Sequence, residues 1–199
     1  MQLDPERGYD LIGDVHGCAR ALERLLAGLG YRQQGGVWRH RERMALFLGD
    51  IVDRGPHIRE ALHLVHDMVD AGEAHCLMGN HEWYALGWTT PLADEHPDEF
   101  VRPHNLRHER LIRETLAQFE QHPGDWHDFL AWFQDLPLFA DAGRFRMVHA
   151  CWDAASIARL RQVFPDGRID RTFLREAGDP DSFAAHCVQR RLRGDALTQ

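Results

Sequence analysis

The chain has 199 residues, 31 of them Asp or Glu against 23 positive side chains, all Arg, for a net charge of −8. That length supports one domain, residues 1–199, with a proper core and little room for a second, and fractions of 44% hydrophobic and 27% charged residues exclude a disordered or fibrous chain. The acidic balance argues against general nucleic-acid binding, which needs a basic face to release counterions, but not against local phosphate binding, because bound metal ions reverse the sign of a pocket.

Tyr9–Gly13 reads as a short apolar strand that ends in Gly-Asp. From Cys18, the apolar residues Ala21, Leu22, Leu25, Leu26 and Leu29 follow a helical period, which Gly30 stops. Gln34–His40 is polar and Gly-rich and predicts a turn. Met44–Leu48 predicts a second buried strand, again ending in Gly-Asp. Ile58, Ala61, Leu62, Val65, Met68 and Val69 mark an amphipathic helix closed by Gly72, and Ala74–Met78 a third strand ending in Gly-Asn. Strands alternating with helices predict an α/β fold built on a parallel sheet. Thr89–Pro103, with Pro91, Pro97 and Pro103 among acidic residues, predicts an exposed loop. Asn105–His122 and Asp125–Gln134 predict two helices, so that residues 89–135 form a helical insertion packed on the sheet. Leu138–Asp141 and Arg144–His149 predict a hairpin turning at Ala142-Gly143. Ala154–Phe164 predicts a further helix, whereas Phe183–Gln199 is Arg-rich and without a clear pattern.

Cys18, Cys76, Cys151 and Cys187 form no CxxC pair, which points to reduced thiols in a cytosolic protein instead of a zinc ribbon or disulfide scaffold. No apolar run approaches the roughly 20 residues of a membrane span. Met1–Gly8 has no apolar h-region, so no secretory signal is expected and the expected location is the cytoplasm. The 14 His, set among many carboxylates, are raw material for a metal site.

Each of the three N-terminal strands ends in a similar cluster: Gly13-Asp14-Val15-His16-Gly17, then Gly49-Asp50-Ile51-Val52-Asp53-Arg54-Gly55-Pro56, then Gly79-Asn80-His81-Glu82. In an open α/β sheet the carboxyl ends of neighbouring strands converge on one crevice. Asp14, His16, Asp50, Asn80 and His81 are therefore expected within a few ångströms of one another. Any one Gly-Asp taken singly is more often a capped turn than a ligand; three at successive strand ends are poorly explained by chance. Mixed carboxylate, imidazole and amide donors suit Mn²⁺, Fe²⁺ or Zn²⁺ better than Mg²⁺ or Ca²⁺. Two such ions about 3.5–4 Å apart clamp an in-line displacement at phosphorus, and Asp50, on the middle strand, is placed to bridge them.

In that order, Gly-Asp-x-His-Gly, Gly-Asp-x-x-Asp-Arg-Gly and Gly-Asn-His-Glu resemble the calcineurin-like metallophosphoesterases, and the Asp-Arg-Gly extension resembles their phosphoprotein-phosphatase branch, with bacterial Ser/Thr protein phosphatases and diadenosine-tetraphosphatase relatives. His149-Ala150, after a strand, is similar to the family's next ligand motif. The resemblance implies a metallophosphoesterase-like α/β/β/α sandwich with a helical insertion after the third strand. It implies two divalent ions, Mn²⁺ ahead of Fe or Zn. Asp14 and His16 would bind the first, Asp50 would bridge, and Asn80 and His149 would bind the second. His81 would be the general acid, oriented by Asp53, and Arg54 would grip phosphate, while a metal-activated hydroxide attacks phosphorus. The implied function is hydrolysis of phosphate monoesters, in a phosphorylated small molecule or, as Ser/Thr phosphatase, a phosphoprotein. The alternatives are a dinucleoside polyphosphate hydrolase or a weakly active metal-binding regulatory protein.

The family's later Gly-His ligand has no counterpart here. The remaining His downstream, His186, lies in Ala-Ala-His-Cys, so the chain reads either as shortened before that ligand or as using His186 in its place. A second phosphate-gripping Arg has no clear position. His57, His63, His66, His96, His104 and His108 read as surface residues, the last two being candidates to line a substrate mouth. Trp83, Tyr84 and Trp88 read as core packing, with adenine stacking as the alternative.

Overall fold

A computed structural model describes residues 7–165 and 167–194. In chain order it has β1 (Gly8–Ile12), α1 (Ala19–Gly28), β2 (Arg32–Gln34), β3 (Val37–Arg39), β4 (Arg43–Phe47), α2 (Ile58–Asp70), β5 (Ala74–Cys76) and α3 (Asn80–Thr89). There follow β6 (Pro91–Ala93), β7 (His96–Phe100), α4 (Leu106–Phe119), α5 (Pro123–Asp135), β8 (Phe139–Asp141), β9 (Arg146–Val148), α6 (Ala154–Val163), α7 (Arg171–Glu176) and α8 (Phe183–Arg193).

The three Gly-tipped strands form one parallel sheet in the order β1-β4-β5, with Ile12 opposite Phe47 and Phe47 opposite Cys76. All three carboxyl ends therefore leave the sheet on the same side. The amphipathic stripes of α1 (Ala19, Leu22, Leu26) and α2 (Ile58, Ala61, Leu62, Val65, Met68) are buried in one cluster with Ile12, Ala45 and Phe47. Each fully buried Leu, Ile or Val contributes roughly 1.5–3 kcal/mol relative to exposure. Leu46 and Leu77 point the other way and pack with Ala140 and Met147 of the β8–β9 hairpin. Helices thus cover one face of the sheet and a second β layer the other, that layer being a two-stranded hairpin. Among the described residues no helix is long and apolar enough to cross a membrane, and all four cysteines are free thiols.

Three segments differ from the sequence expectation. Gln34–His40 is not only a turn: it completes a hairpin, β2–β3, whose Gly35 and Gly36 take positive φ. Thr89–Pro103, expected as a loop, contains the β6–β7 hairpin with an irregular register at Pro91/Ala93. Nothing local favours strands there. The support is distant, with Arg175 of α7 donating to Pro91 O at 3.0 Å and pairing with Asp94. The unpatterned tail holds α8, capped by Ser182, whose hydroxyl accepts from Ala185 N, and ending in three Arg before Gly194 (φ 76°). Those helix signals were present in the sequence; residues 195–199 lie outside the described residues.

At the sheet edge, Asp10 is buried and takes both Arg43 nitrogens, Nε at 2.8 Å, together with the Tyr31 hydroxyl at 3.1 Å. The Arg43 hydrogen bonds hold the Asp10 carboxyl below its ordinary range against the opposing effect of burial, with Tyr31 helping. A depressed folded pKa gives stability that is complete above the unfolded value of about 3.9 and is lost as pH falls through the folded value. Asp10→Asn is therefore expected to lower the urea midpoint at pH 7, and the gap from wild type should close as pH drops below about 4. A gap that stays constant with pH would remove the role assigned to the ionised carboxylate.

Candidate active site

Backbone geometry marks the site before any side chain does. Among the described residues, the non-glycine residues with positive φ are Asp14 (44°), His16 (41°), Asp50 (57°), Asp53 (68°) and Arg54 (68°), all in the first two motifs. Left-handed backbone costs an L-residue about 1–2 kcal/mol, so the surroundings must hold these turns. His16 N donates to Asp50 O and Gly17 N to Ile51 O, both at 2.8 Å, tying the first loop to the second. A Cβ on Gly49 would fall on the Gly79 amide, and one on Gly79 would strike Asp50, so the second and third loops meet backbone to backbone. The fully buried Glu82 accepts from Gly79 N (2.9 Å), Asp50 N and Ile51 N (2.8 Å each) and Val52 N (3.3 Å). From α4, Gln118 Nε2 donates to Gly55 O at 3.0 Å, and Thr115 Oγ1 accepts from Asp53 N at 3.1 Å while donating to the Asp53 carboxylate.

Asp50 is the centre of the cluster. Its Oδ2 lies 3.5 Å from His16 Nε2, 3.7 Å from His149 Nε2 and 4.0 Å from His81 Nε2. Two sets of donor atoms lie within 4.8 Å of one another, His16 with Asp50 and His81, and Asp14 with Asp50 and His149. Asp50 belongs to both. The residues fit divalent cations on a specific observation. His16 Nδ1 donates to Val52 O at 2.8 Å, so in the neutral ring Nε2 carries a lone pair; that nitrogen is buried without a hydrogen-bond partner and faces a carboxylate oxygen. His149 repeats the arrangement, with Nδ1 on Leu48 O at 2.6 Å and Nε2 turned to Asn80 Oδ1 at 3.0 Å. Backbone carbonyls that fix the Nδ1–H tautomer are the usual support of imidazole ligands.

His81 is buried between Asp53, whose Oδ2 is 2.6 Å from Nδ1, and Arg54, whose Nη2 is 3.2 Å from Nε2. Burial works against its imidazolium, but the Asp53 hydrogen bond and the charges of Asp50, Asp53 and Glu82 outweigh it, leaving the His81 pKa above its ordinary value. Arg54 has no carboxylate within ion-pair distance among the described residues.

The calcineurin-like phosphoesterase family profile matches residues 9–197. The chain belongs to the calcineurin-like phosphoesterases. A Halalkalibacterium halodurans protein named as the asymmetrical bis(5'-nucleosyl)-tetraphosphatase PrpE is 45% identical over 118 residues, which cover 57% of this chain and 48% of that protein. A Bacillus thuringiensis protein of the same name is 41% identical over 153 residues, covering 71% and 56%. The chain spans about half the length of the curated relatives it matches. Among solved structures, the cold-active protein-tyrosine phosphatase of a psychrophilic Shewanella has a similar fold, with a TM-score of 0.53 at 20% identity over 92% of this chain and 59% of that one.

Within this calcineurin-like phosphoesterase, Asp14, His16, Asp50, Asn80, His81 and His149 converge, with Asp53 and Arg54 beside them. The proximity groups cross the division of ligands that the resemblance implies, since Asp14 groups with His149 and His16 with His81. His186 joins neither group. Its Nδ1 lies 2.8 Å from Ser182 O, and the ring stands on α8 at the rim of an adjoining cavity. The aromatic trio is occupied: Trp83 is in the core, Arg102 covers a face of Tyr84, and His104 stacks on Trp88 at 3.8 Å. His63, read as a surface residue, keeps a side chain 41% exposed while pairing with Asp125 of α5 at 3.1 Å. The sequence motifs do not single out the amide-binding role of Glu82, nor Thr115 and Gln118. These two stand three residues apart on α4, and no motif marked them.

Proposed function

We propose that this phosphoesterase hydrolyses a phosphoanhydride of a dinucleoside polyphosphate with two divalent ions, Mn²⁺ ahead of Fe or Zn. The observation that carries the metal chemistry is Asp50, shared by both donor groups and faced by the orphaned His16 Nε2. Asp14, His16, Asp50, Asn80 and His149 would hold the ions, which supply charge neutralisation on phosphate and acidify a water. The chain's own residues do the rest. His81 Nε2 protonates the departing oxygen, while Asp53 keeps the ring oriented through Nδ1. Arg54 offers a planar fork to the phosphate oxygens. The names of the relatives favour the polyphosphate alternative over the phosphate-monoester reading that the motifs suggest. The Ser/Thr phosphoprotein reading rests on the resemblance of the Asp-Arg-Gly motif.

Side-by-side assays with Mn²⁺ test the reading. Diadenosine tetraphosphate should be turned over with a kcat/KM at least about tenfold above that for p-nitrophenyl phosphate or a phosphopeptide, about 1.4 kcal/mol in transition-state binding. Chelation should stop turnover and Mn²⁺ should restore it. A phosphopeptide preferred over the dinucleotide would overturn the substrate assignment.

A further inference from the structure

Beside Asn80 opens a cavity of about 480 Å³, a size suited to a ligand on the scale of a nucleotide. Its charge is unlike that of the rest of the molecule. In a chain of net charge −8, the cavity is lined by Arg102, Arg193, His108 and His186 and, among the described residues, by no Asp or Glu. Neither Arg has a carboxylate within ion-pair distance among the described residues. The Arg102 guanidinium stacks on Tyr84, its central carbon 3.6 Å from the ring centroid, which fixes its plane and leaves the charge unneutralised. Arg193 Nη1 donates to the neutral amide of Gln189 at 3.1 Å. Burial, joined by the nearby Arg193 charge, holds the Arg102 pKa below its ordinary value against the opposing effects of Tyr84 and the Asp53 charge. A half-buried Arg102 and an exposed Arg193 share a concave space that, among the described residues, no carboxylate lines, which suits an anion. The cavity adjoins the donor cluster at Asn80, which lines it and whose Oδ1 is 3.0 Å from His149 Nε2.

We infer that this cavity binds the phosphates of the substrate that are not attacked, with Arg102 and Arg193 as the residues that grip them. The inference rests on the polyphosphate reading above and adds the specificity-determining residues for it. A phosphate chain presents successive anionic groups to two Arg forks, whereas a monoester has nothing to place there. Arg102 lies just after β7 and Arg193 on the last turn of α8, so the inserted hairpin and the unpatterned tail together build the selective wall.

Calorimetric titration of inorganic tripolyphosphate and of ATP into the whole protein in chelator tests binding without metal or turnover. Both ligands should bind wild type, and R102M/R193M should weaken both at least about tenfold, with its near-ultraviolet circular dichroism unchanged. Tighter binding of ATP than of tripolyphosphate would place the nucleoside in the same cavity; equal affinities would support capture of the phosphate chain alone. The same double variant should lower kcat/KM for diadenosine tetraphosphate at least about tenfold more than that for p-nitrophenyl phosphate. Should the double variant misfold, R193M alone, at an exposed position, should still weaken tripolyphosphate binding about threefold. Absent binding to wild type, or equal binding by wild type and variant, overturns the inference. If binding depends on both Arg but the dinucleotide is not cleaved, the substrate reading fails and the cavity assignment stands. If cleavage occurs and the variant matches wild type, the reverse holds.

Discussion

Asp50→Asn is expected to empty the metal centre and lower kcat/KM by about three orders of magnitude, about 4 kcal/mol of transition-state stabilisation. The effect should exceed that of any other ligand change because Asp50 alone belongs to both donor groups. Removing its charge weakens both ions at once and leaves the His16 and His149 lone pairs facing a neutral amide. The fold should survive. Asn is among the few residues that tolerate the left-handed backbone held at Asp50 (φ 57°), and its amide oxygen still accepts from His81 N, 3.0 Å from Oδ1 in the native chain. The measurement is metal content by elemental analysis alongside steady-state kinetics. Wild-type stoichiometry and rate in the variant would displace Asp50 from the bridging position.

His81→Asn is expected to lower kcat by about 10²–10⁴, the range of a lost general acid, with metal content unchanged. Asp53 acts through His81, its Oδ2 2.6 Å from Nδ1, and touches no reacting atom. Asp53→Asn should therefore cost less, and the double variant should be no slower than His81→Asn alone. Residues that act as a unit are strongly non-additive, so additive losses would separate the two roles. The rescue arm is Asp53→Glu, which keeps the charge and should recover part of the rate that Asp53→Asn loses. Loss of metal in His81→Asn would reassign His81 as a ligand, which its 4.0 Å approach to Asp50 also permits.

Most of the donor cluster was legible from the sequence because its signal is local. Asp14, His16, Asp50, Asn80 and His81 each follow a strand within a few residues, and parallel strands deliver their carboxyl ends to one side. His149 came from a shorter motif after the hairpin and takes its place beside Asn80. Thr115, Gln118 and the amide-binding role of Glu82 were not legible. Their partners are loop backbone groups dozens of positions away, and a hydrogen bond to a main-chain amide imposes no pattern on the sequence between. The β6–β7 hairpin escaped notice for a related reason: its strands are held by Arg175 and not by their own alternation. Helix α8 is a different case: Ser182, the terminal Arg cluster and Gly194 are local helix signals, but the segment was expected to have no clear pattern.

By itself, the sequence determined the parallel sheet, the order of the three motifs and the chemical type of the donor side chains, because hydrophobic period and strand-end glycines are read over a few residues. Tertiary structure alone decided three things. It clamped the strained turns of Asp50 to Arg54 between Glu82 and α4, it left His186 at a cavity rim outside both donor groups, and it brought Arg102 and Arg193 together in a space that no carboxylate lines among the described residues. The physical reason is range. Ligand identity and secondary structure follow from neighbours along the chain, whereas the charge of a cavity and the support of a strained loop depend on which distant side chains the packed core places side by side.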